Sequence, residues 1–186
     1  DARCPVYDMH VDADAAGSAL ELRAWSQGVE ARAWIVDAAE LERTLAAAVA
    51  FAPHVQVVAD GPVDAALLAI AEGKASATRQ QLGVAMPVQR YGQRAVAARL
   101  QSDLAHAGVA RQWFRSPDVL ALLPFDRPVP GQCYGLVWSV PDARADELLA
   151  LDDAAFEQAL ADATAGAAGS LRLCGERSAW PLTLAR

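Results

Sequence analysis

Between residues 91 and 140 four apolar, β-prone runs follow one another with only short links. They cover residues 91–100, 110–114, 119–125 and 134–140, rich in Val, Leu, Ala and aromatic side chains. The links carry turn chemistry: Arg115-Ser116-Pro117-Asp118, and then a stretch at 126–131 with Pro128 and Pro130. Strands joined so tightly favour an antiparallel meander, and this block constrains the rest of the chain to pack around a sheet.

The flanks add helices and isolated strands. Residues 20–25 alternate apolar and polar and read as a half-buried strand, and Trp34-Ile35-Val36 reads as a second. Asp37 stands as an N-cap with Glu40 three positions on, followed by Leu41, Leu45, Ala48, Val49 and Ala52 at helical spacing. Pro53 stops that helix, and residues 55–59 read as a strand. Beyond the four-strand block, Pro141-Asp142 opens a helix that runs to Leu151. Asp152 caps another, with Phe156 and Leu160 on one face. Residues 165–170 form a small-residue loop before a last strand at 171–174, and Trp180-Pro181-Leu182 follows. The expectation is one α+β domain over residues 1–186, mostly antiparallel sheet with three or four helices.

Composition narrows the function classes. An apolar fraction of 54% with 21% charged residues is globular, and a net charge of −7 argues against nucleic acid or an anionic membrane as main partner. Cys4, Cys133 and Cys174 are far apart and odd in number, which suits free thiols in a reducing cytoplasm rather than a disulfide frame or zinc ribbon. The longest uncharged run, 44–59, is too short to cross a bilayer. A start at Asp1 with neither Met nor leader reads as a piece of a longer protein.

The familiar catalytic constellations are missing. Gly73-Lys74 looks like the end of a phosphate-binding loop, but Ala75 replaces the Ser or Thr, and Leu68 stands where the first Gly belongs. Asp12, Asp14 and Gly17 fall short of a calcium loop, because Arg23 occupies the closing Glu position. His10, His54 and His106 are scattered, with no metal-ligand or triad spacing around them, so no metal site is expected. Neither GxSxG nor GxGxxG occurs. Of the five tryptophans, Trp25, Trp34, Trp113, Trp138 and Trp180, most are expected in the core, with some lining an apolar pocket for a planar ligand.

Several segments, taken in order, carry a resemblance. "YGQRAVAARL", "ARQWF", "LALLPF", "LVWSV", "LLALDDAAFEQAL" and "ERSAWPLTLAR" resemble the middle portion of the flavin-dependent aromatic hydroxylases of ubiquinone biosynthesis, relatives of p-hydroxybenzoate hydroxylase. The likeness extends from about Tyr7 to Arg186. Within it, Glu72, Gly73, Ser76 and Arg79 fall on the spacing of the family's DGxxSxxR motif, with Glu for Asp, and are the candidate cofactor-side residues. Ala39 stands where the family usually has a flavin-contacting Arg, and the stretch between Val58 and Leu67 is short for the family.

The resemblance implies a substrate-binding domain of an FAD-dependent monooxygenase, which hydroxylates an aromatic ring with NAD(P)H and O2. The family's GxGxxG and GDAAH-type motifs lie outside these residues, so no stable FAD binding is expected of the chain alone. The cofactor carries the chemistry in such enzymes, so no catalytic side chain is expected here. Candidate substrate-side residues are Tyr91, Gln93, Leu122, Pro124, Trp138, Trp180 and Pro181, each with core packing as its competing role. The implied substrate is an aromatic, polyprenylated small molecule, a ubiquinone precursor. A cytoplasmic protein with peripheral inner-membrane contact, or membership of a ubiquinone-biosynthesis complex, follows from that. The competing class is a non-catalytic α+β module that binds an apolar ligand or a protein partner.

Overall fold

The computed structural model describes residues 3–15, 19–58 and 64–185. In chain order the strands β1 (Arg3–Val6), β2 (Asp8–Asp12), β3 (Ala19–Arg23) and β4 (Ala33–Val36) lead into helix α1 (Ala38–Ala50). A short helix α2 (Ala77–Gln81) precedes β5 (Val88–Ser102), β6 (Val109–Arg115), β7 (Asp118–Phe125) and β8 (Cys133–Pro141). Helices α3 (Asp142–Ala150) and α4 (Asp153–Thr164) follow, then β9 (Leu171–Leu173) and β10 (Ser178–Ala185). The fold is α+β, with an antiparallel-dominated sheet and four helices among the described residues.

The eight-stranded sheet has the order β10-β5-β8-β7-β6-β2-β3, with β9 also pairing β5. This corrects the meander. β6, β7 and β8 are consecutive neighbours, but β5 pairs β8 rather than β6, with Val96 opposite Trp138 and Leu100 opposite Tyr134. The reason lies in the core side chains. Pairing β5 with β8 stacks Val96, Ala98 and Leu100 beside Leu136, Trp138 and Val140, in the middle of the sheet under the helices. Every pairing is antiparallel except β2 with β6, which run parallel.

Helices α3 and α4 cover one face of this sheet. Ala145 and Leu148 of α3 and Phe156 and Leu160 of α4 are fully buried against Val96, Leu120, Leu122, Leu136 and Trp138. Trp138 meets Phe156 at a ring separation of 6.4 Å. Asp152 caps α4 by accepting from the Ala155 N–H. The junction back to the sheet is held by Arg177, whose guanidinium donates to the Leu148 and Leu151 carbonyls and stacks over the Phe156 ring at 4.8 Å. The α3 carbonyls that would otherwise end without partners are thereby satisfied.

On the opposite face the strands present small and apolar residues: Ala95, Ala97, Val119, Ala121, Leu123, Gly135 and Val137 share it by register. It is only partly covered. β1 and β4 pair as a separate antiparallel ribbon that lies over β7. From the ribbon springs α1, whose N-cap Asp37 accepts from the Glu40 N–H as its sequence predicts. Its apolar positions do not reach the domain: no α1 residue is buried, and Leu41, Leu45 and Val49 are exposed.

Residues 55–58 form no strand, contrary to expectation, and residue 59 lies outside the described residues. Residues 67–71 form no strand either, and Leu67 and Leu68 are exposed. An apolar run becomes a strand only where a partner satisfies its N–H and C=O groups, and none among the described residues does. Conversely, β1, β2 and the whole of β10 were not legible as strands; Pro181 in β10 sits beside a register irregularity. The tryptophans also divide against expectation. Trp113 and Trp138 are core residues, whereas Trp25, Trp34 and Trp180 are exposed.

Candidate functional site

A groove of about 520 Å³ lies between the β4–α1 junction and the uncovered face of the sheet. Ile35, Val36, Ala97, Leu123, Val137 and Trp180 supply its apolar lining; Gly135 adds no side chain and lies under Arg99, whose Nη1 is 3.4 Å from where a Cβ would stand. Small residues on three adjacent strands matter here: Ala97 lies opposite Val137, and Gly135 lies opposite both Arg99 and Leu123. With so little side-chain volume the floor is flat, which suits a planar apolar ligand. Arg99 is the one cation and Glu176 the one carboxylate among the described lining residues.

The substrate-side candidates divide by strand parity. Trp180 lines the groove. Leu122 and Trp138 point the other way and are buried under α3 and α4, so the core-packing role is theirs. Pro124 is fully buried and shares their parity along β7. Tyr91 and Pro181 are exposed at the end of the sheet, and Gln93 donates to the Pro117 carbonyl at 3.1 Å, tying β5 to the β6–β7 turn. The groove residues Ala97, Arg99, Leu123, Gly135 and Val137 carried no distinguishing sequence signal. Alternation separates the two faces of a strand but does not say which face stays open.

Glu72, Gly73, Ser76 and Arg79 come together in a compact turn. The Glu72 carboxylate accepts from the Ser76 and Thr78 hydroxyls, each at 2.6 Å, and from the Thr78 N–H at 3.1 Å. Those bonds, Ser76 first, hold its pKa below the usual carboxylate range. Ser76 caps α2 by accepting from the Arg79 N–H, and Gly73 adopts the left-handed φ of 76° that the turn requires. Arg79 folds back onto the Gly73 and Lys74 carbonyls, leaving its buried Nε without a partner. Lys74 donates to Thr183 of β10, which anchors the turn at the sheet's edge. Ala39 lies in the first turn of α1.

A flavin's pyrophosphate needs free N–H groups at a helix start behind a glycine-rich turn. Among the described residues the nearest such feature is α2, and Ser76 and Glu72 already occupy its N–H groups.

Cys4, His106 and Asp126 approach one another within 4.8 Å, the spacing of a metal site. The tautomer opposes ligation. His106 Nδ1 accepts from the Gly108 N–H at 3.0 Å, so the ring proton sits on Nε2, facing Asp126 Oδ1 at 3.3 Å. Burial, then the neighbouring Asp126, pushes the Cys4 thiol up to about 12, which keeps it protonated and a poor nucleophile at neutral pH. Burial also disfavours ionised Asp126, but the Gly131 N–H, Cys4 and His106 outweigh that and hold it below the ordinary range. The cluster fastens β1 to the loops at 103–108 and 126–132.

No family model matches the chain. It is similar to the ubiquinone hydroxylase UbiL of Rhodospirillum rubrum, 30% identical over 122 residues, which are 66% of this chain and 28% of UbiL. In fold it is similar to pqsL of Pseudomonas aeruginosa, a probable FAD-dependent monooxygenase, with TM-score 0.70 and 17% identity. That match covers 97% of this chain and 56% of pqsL. In fold the chain is like part of a flavin-dependent monooxygenase. A flavin-dependent brominase shares the same architecture at TM-score 0.60 and 12% identity, over all of this chain and 53% of its own. The chain thus spans less than a third of UbiL and little more than half of each of these structures.

Proposed function

We propose that this domain is the substrate-binding part of an FAD-dependent monooxygenase that hydroxylates an aromatic ring with NAD(P)H and O2, with a ubiquinone precursor as substrate. The observation that carries the proposal is the flat, apolar groove on the one sheet face that α3 and α4 leave open, in a flavin-hydroxylase-like fold. The UbiL likeness supports the substrate assignment. In this reading the chain's own residues orient and desolvate. Ala97, Gly135 and Val137 form the floor and Trp180 a wall, while Tyr91, Gln93 and Pro181 stand on β5 and β10 near the end of β8, where a longer substrate tail would emerge. Excluding water is the contribution such a surface makes to a reaction whose chemistry belongs to the cofactor.

The turn formed by Glu72, Gly73, Ser76 and Arg79 then faces the cofactor side. Arg79, with its Nε unpartnered, is the group best placed to exchange a turn carbonyl for an anionic one. The exposed apolar residues of α1 and of 67–70 are the surface on which a cofactor-binding region would sit. No helix among the described residues is long and apolar enough to cross a membrane, so a polyprenylated substrate would be received through peripheral contact or from a partner in a biosynthetic complex.

One observation favours a second reading, a non-catalytic module that binds an apolar ligand or protein. Both oxygens of Glu72 are already spent on the local turn. Purification of the full product of the gene, followed by its absorbance spectrum, separates the two. A flavin spectrum, or its recovery on adding FAD, is the expected result; a colourless protein that FAD does not reconstitute overturns the enzyme reading. The 186-residue chain by itself is expected to retain no flavin through gel filtration.

A further inference from the structure

We propose that the free edge of β3 is a self-complementary interface, through which two copies of this chain pair antiparallel and continue the large sheet across a two-fold axis. The proposal is independent of what the groove binds, since β3 ends the sheet on the side away from β10 and Trp180.

The edge is held ready for a partner. Among the described strands β3 pairs only β2, and β2 is itself paired along its length with β6. Beyond β2, Asp14 accepts from the Ser116 N–H with both oxygens, at 3.2 and 3.0 Å, and ties the chain to the β6–β7 turn. At the far end of β3 the Ala24 N–H donates to the Tyr7 carbonyl at 2.8 Å. That bond also fixes which groups face outward. Successive residues of a strand point their N–H and C=O groups to opposite sides. Leu20 and Leu22 therefore bond towards β2 with Ala24, while Ala19, Glu21 and Arg23 turn theirs to the open edge. The Arg23 carbonyl accepts there from Ser26 Oγ at 2.9 Å and keeps a second lone pair. An unpaired edge of this kind recruits another strand unless charge or shape repels it.

The side chains select the partner and the register. Glu21 and Arg23 are exposed, lie on one face of β3 and form an ion pair with each other. An incoming strand of one repeated charge would suit only one of them, whereas a second β3, run antiparallel, suits both. With Leu22 opposite its own copy, each Glu21 stands opposite the other copy's Arg23, and their outward N–H and C=O groups meet as hydrogen-bonded pairs. Leu22 meets its copy in the non-hydrogen-bonded pair between them, where side chains approach most closely. Leu20, 54% exposed, adds apolar area on the same face as Leu22. Other registers are disfavoured. A shift by two residues sets Glu21 against Glu21 or Arg23 against Arg23, and a shift by one sets outward groups opposite groups already bonded to β2.

The test is sedimentation equilibrium of the 186-residue chain from micromolar to millimolar concentration. The expected result is a reversible monomer–dimer equilibrium. Glu21→Arg sets cations against cations across the axis, and Arg23→Glu sets carboxylates against carboxylates, so each variant alone should dimerise about tenfold more weakly. Mixed in equal amounts, the two variants are complementary and should recover the original association, as should the double variant Glu21→Arg/Arg23→Glu. Far-UV circular dichroism confirms that each variant is folded before it is compared. A chain that stays monomeric throughout overturns the proposal. So does a dimer that the single swaps do not weaken, which would lie on another surface, or weakened variants whose association neither mixing nor the double swap restores.

Discussion

The two faces of the large sheet are built from the same alternating strands and end in opposite conditions. On one, Val96, Leu122, Leu136 and Trp138 meet Leu148, Phe156 and Leu160 and are sealed from water. On the other, Ala97, Gly135 and Val137 lie open to a groove, and the neighbouring helix α1 turns Leu41, Leu45 and Val49 outward. Both faces are apolar, so hydrophobicity does not tell them apart. What differs is side-chain volume and whether a covering element exists. The packed face carries the stability of the domain, and the open face is the one to which the proposed function assigns a ligand.

Paired substitutions would break this contrast if it is false. Leu148→Ala removes a fully buried side chain from the packed face and should cost about 2–5 kcal/mol in denaturant unfolding. Gly169→Ala should come next, at about 3 kcal/mol. Its φ of 76° opposes a side chain, and a Cβ there would lie 2.2 Å from Asp103 Oδ1 and 2.9 Å from Ser102 Oγ. Those two groups hold the α4–β9 loop through the Ser170 N–H and the Ala168 carbonyl.

Arg177→Ala removes two bonds to the end of α3 and the stack on Phe156. It should cost about 2 kcal/mol, and Arg177→Lys should recover only part of it, since a lysine lacks the fork. On the open side, acid should loosen the turn at 72–79. Glu72 has a folded pKa held below its unfolded value, so its contribution is present above the unfolded value and is lost as pH falls through the folded one. The check is the protection of the Thr78 amide, its exchange rate relative to an unstructured chain at the same pH, which should fall in acid and, in Glu72→Gln, be low at every pH. Smallest of all, Leu45→Ala on α1 should change stability by no more than about 0.5 kcal/mol in this chain. A loss there comparable to that of Leu148→Ala would mean that α1 is packed after all.

Much of the fold was readable from local signals. Asp37 and Asp152 cap the helices they seem to cap, each accepting the N–H three residues on, because N-capping depends on adjacent backbone alone. The strands β5 to β8 also lie where their composition places them. The failures share one cause. Residues 55–58 have strand-like composition but no partner, and β10 contains a proline yet finds an edge position on β5 where it is tolerated. At the site, the turn from Glu72 to Arg79 was legible because its bonds span at most seven positions, whereas the groove was not. Its residues come from β4, β5, β7, β8 and β10, and nothing within any one of those segments marks them.

The sequence by itself therefore determined where β5 to β8 run and which residues cap α1 and α4, since strand composition and capping arise among near neighbours. The tertiary structure alone decided that β5 pairs β8, and that Leu122 and Trp138 face helices while Ala97 and Arg99 face a groove. Alternation places neighbouring residues on opposite faces of a strand, but only packing between segments far apart in the chain selects the face that is sealed.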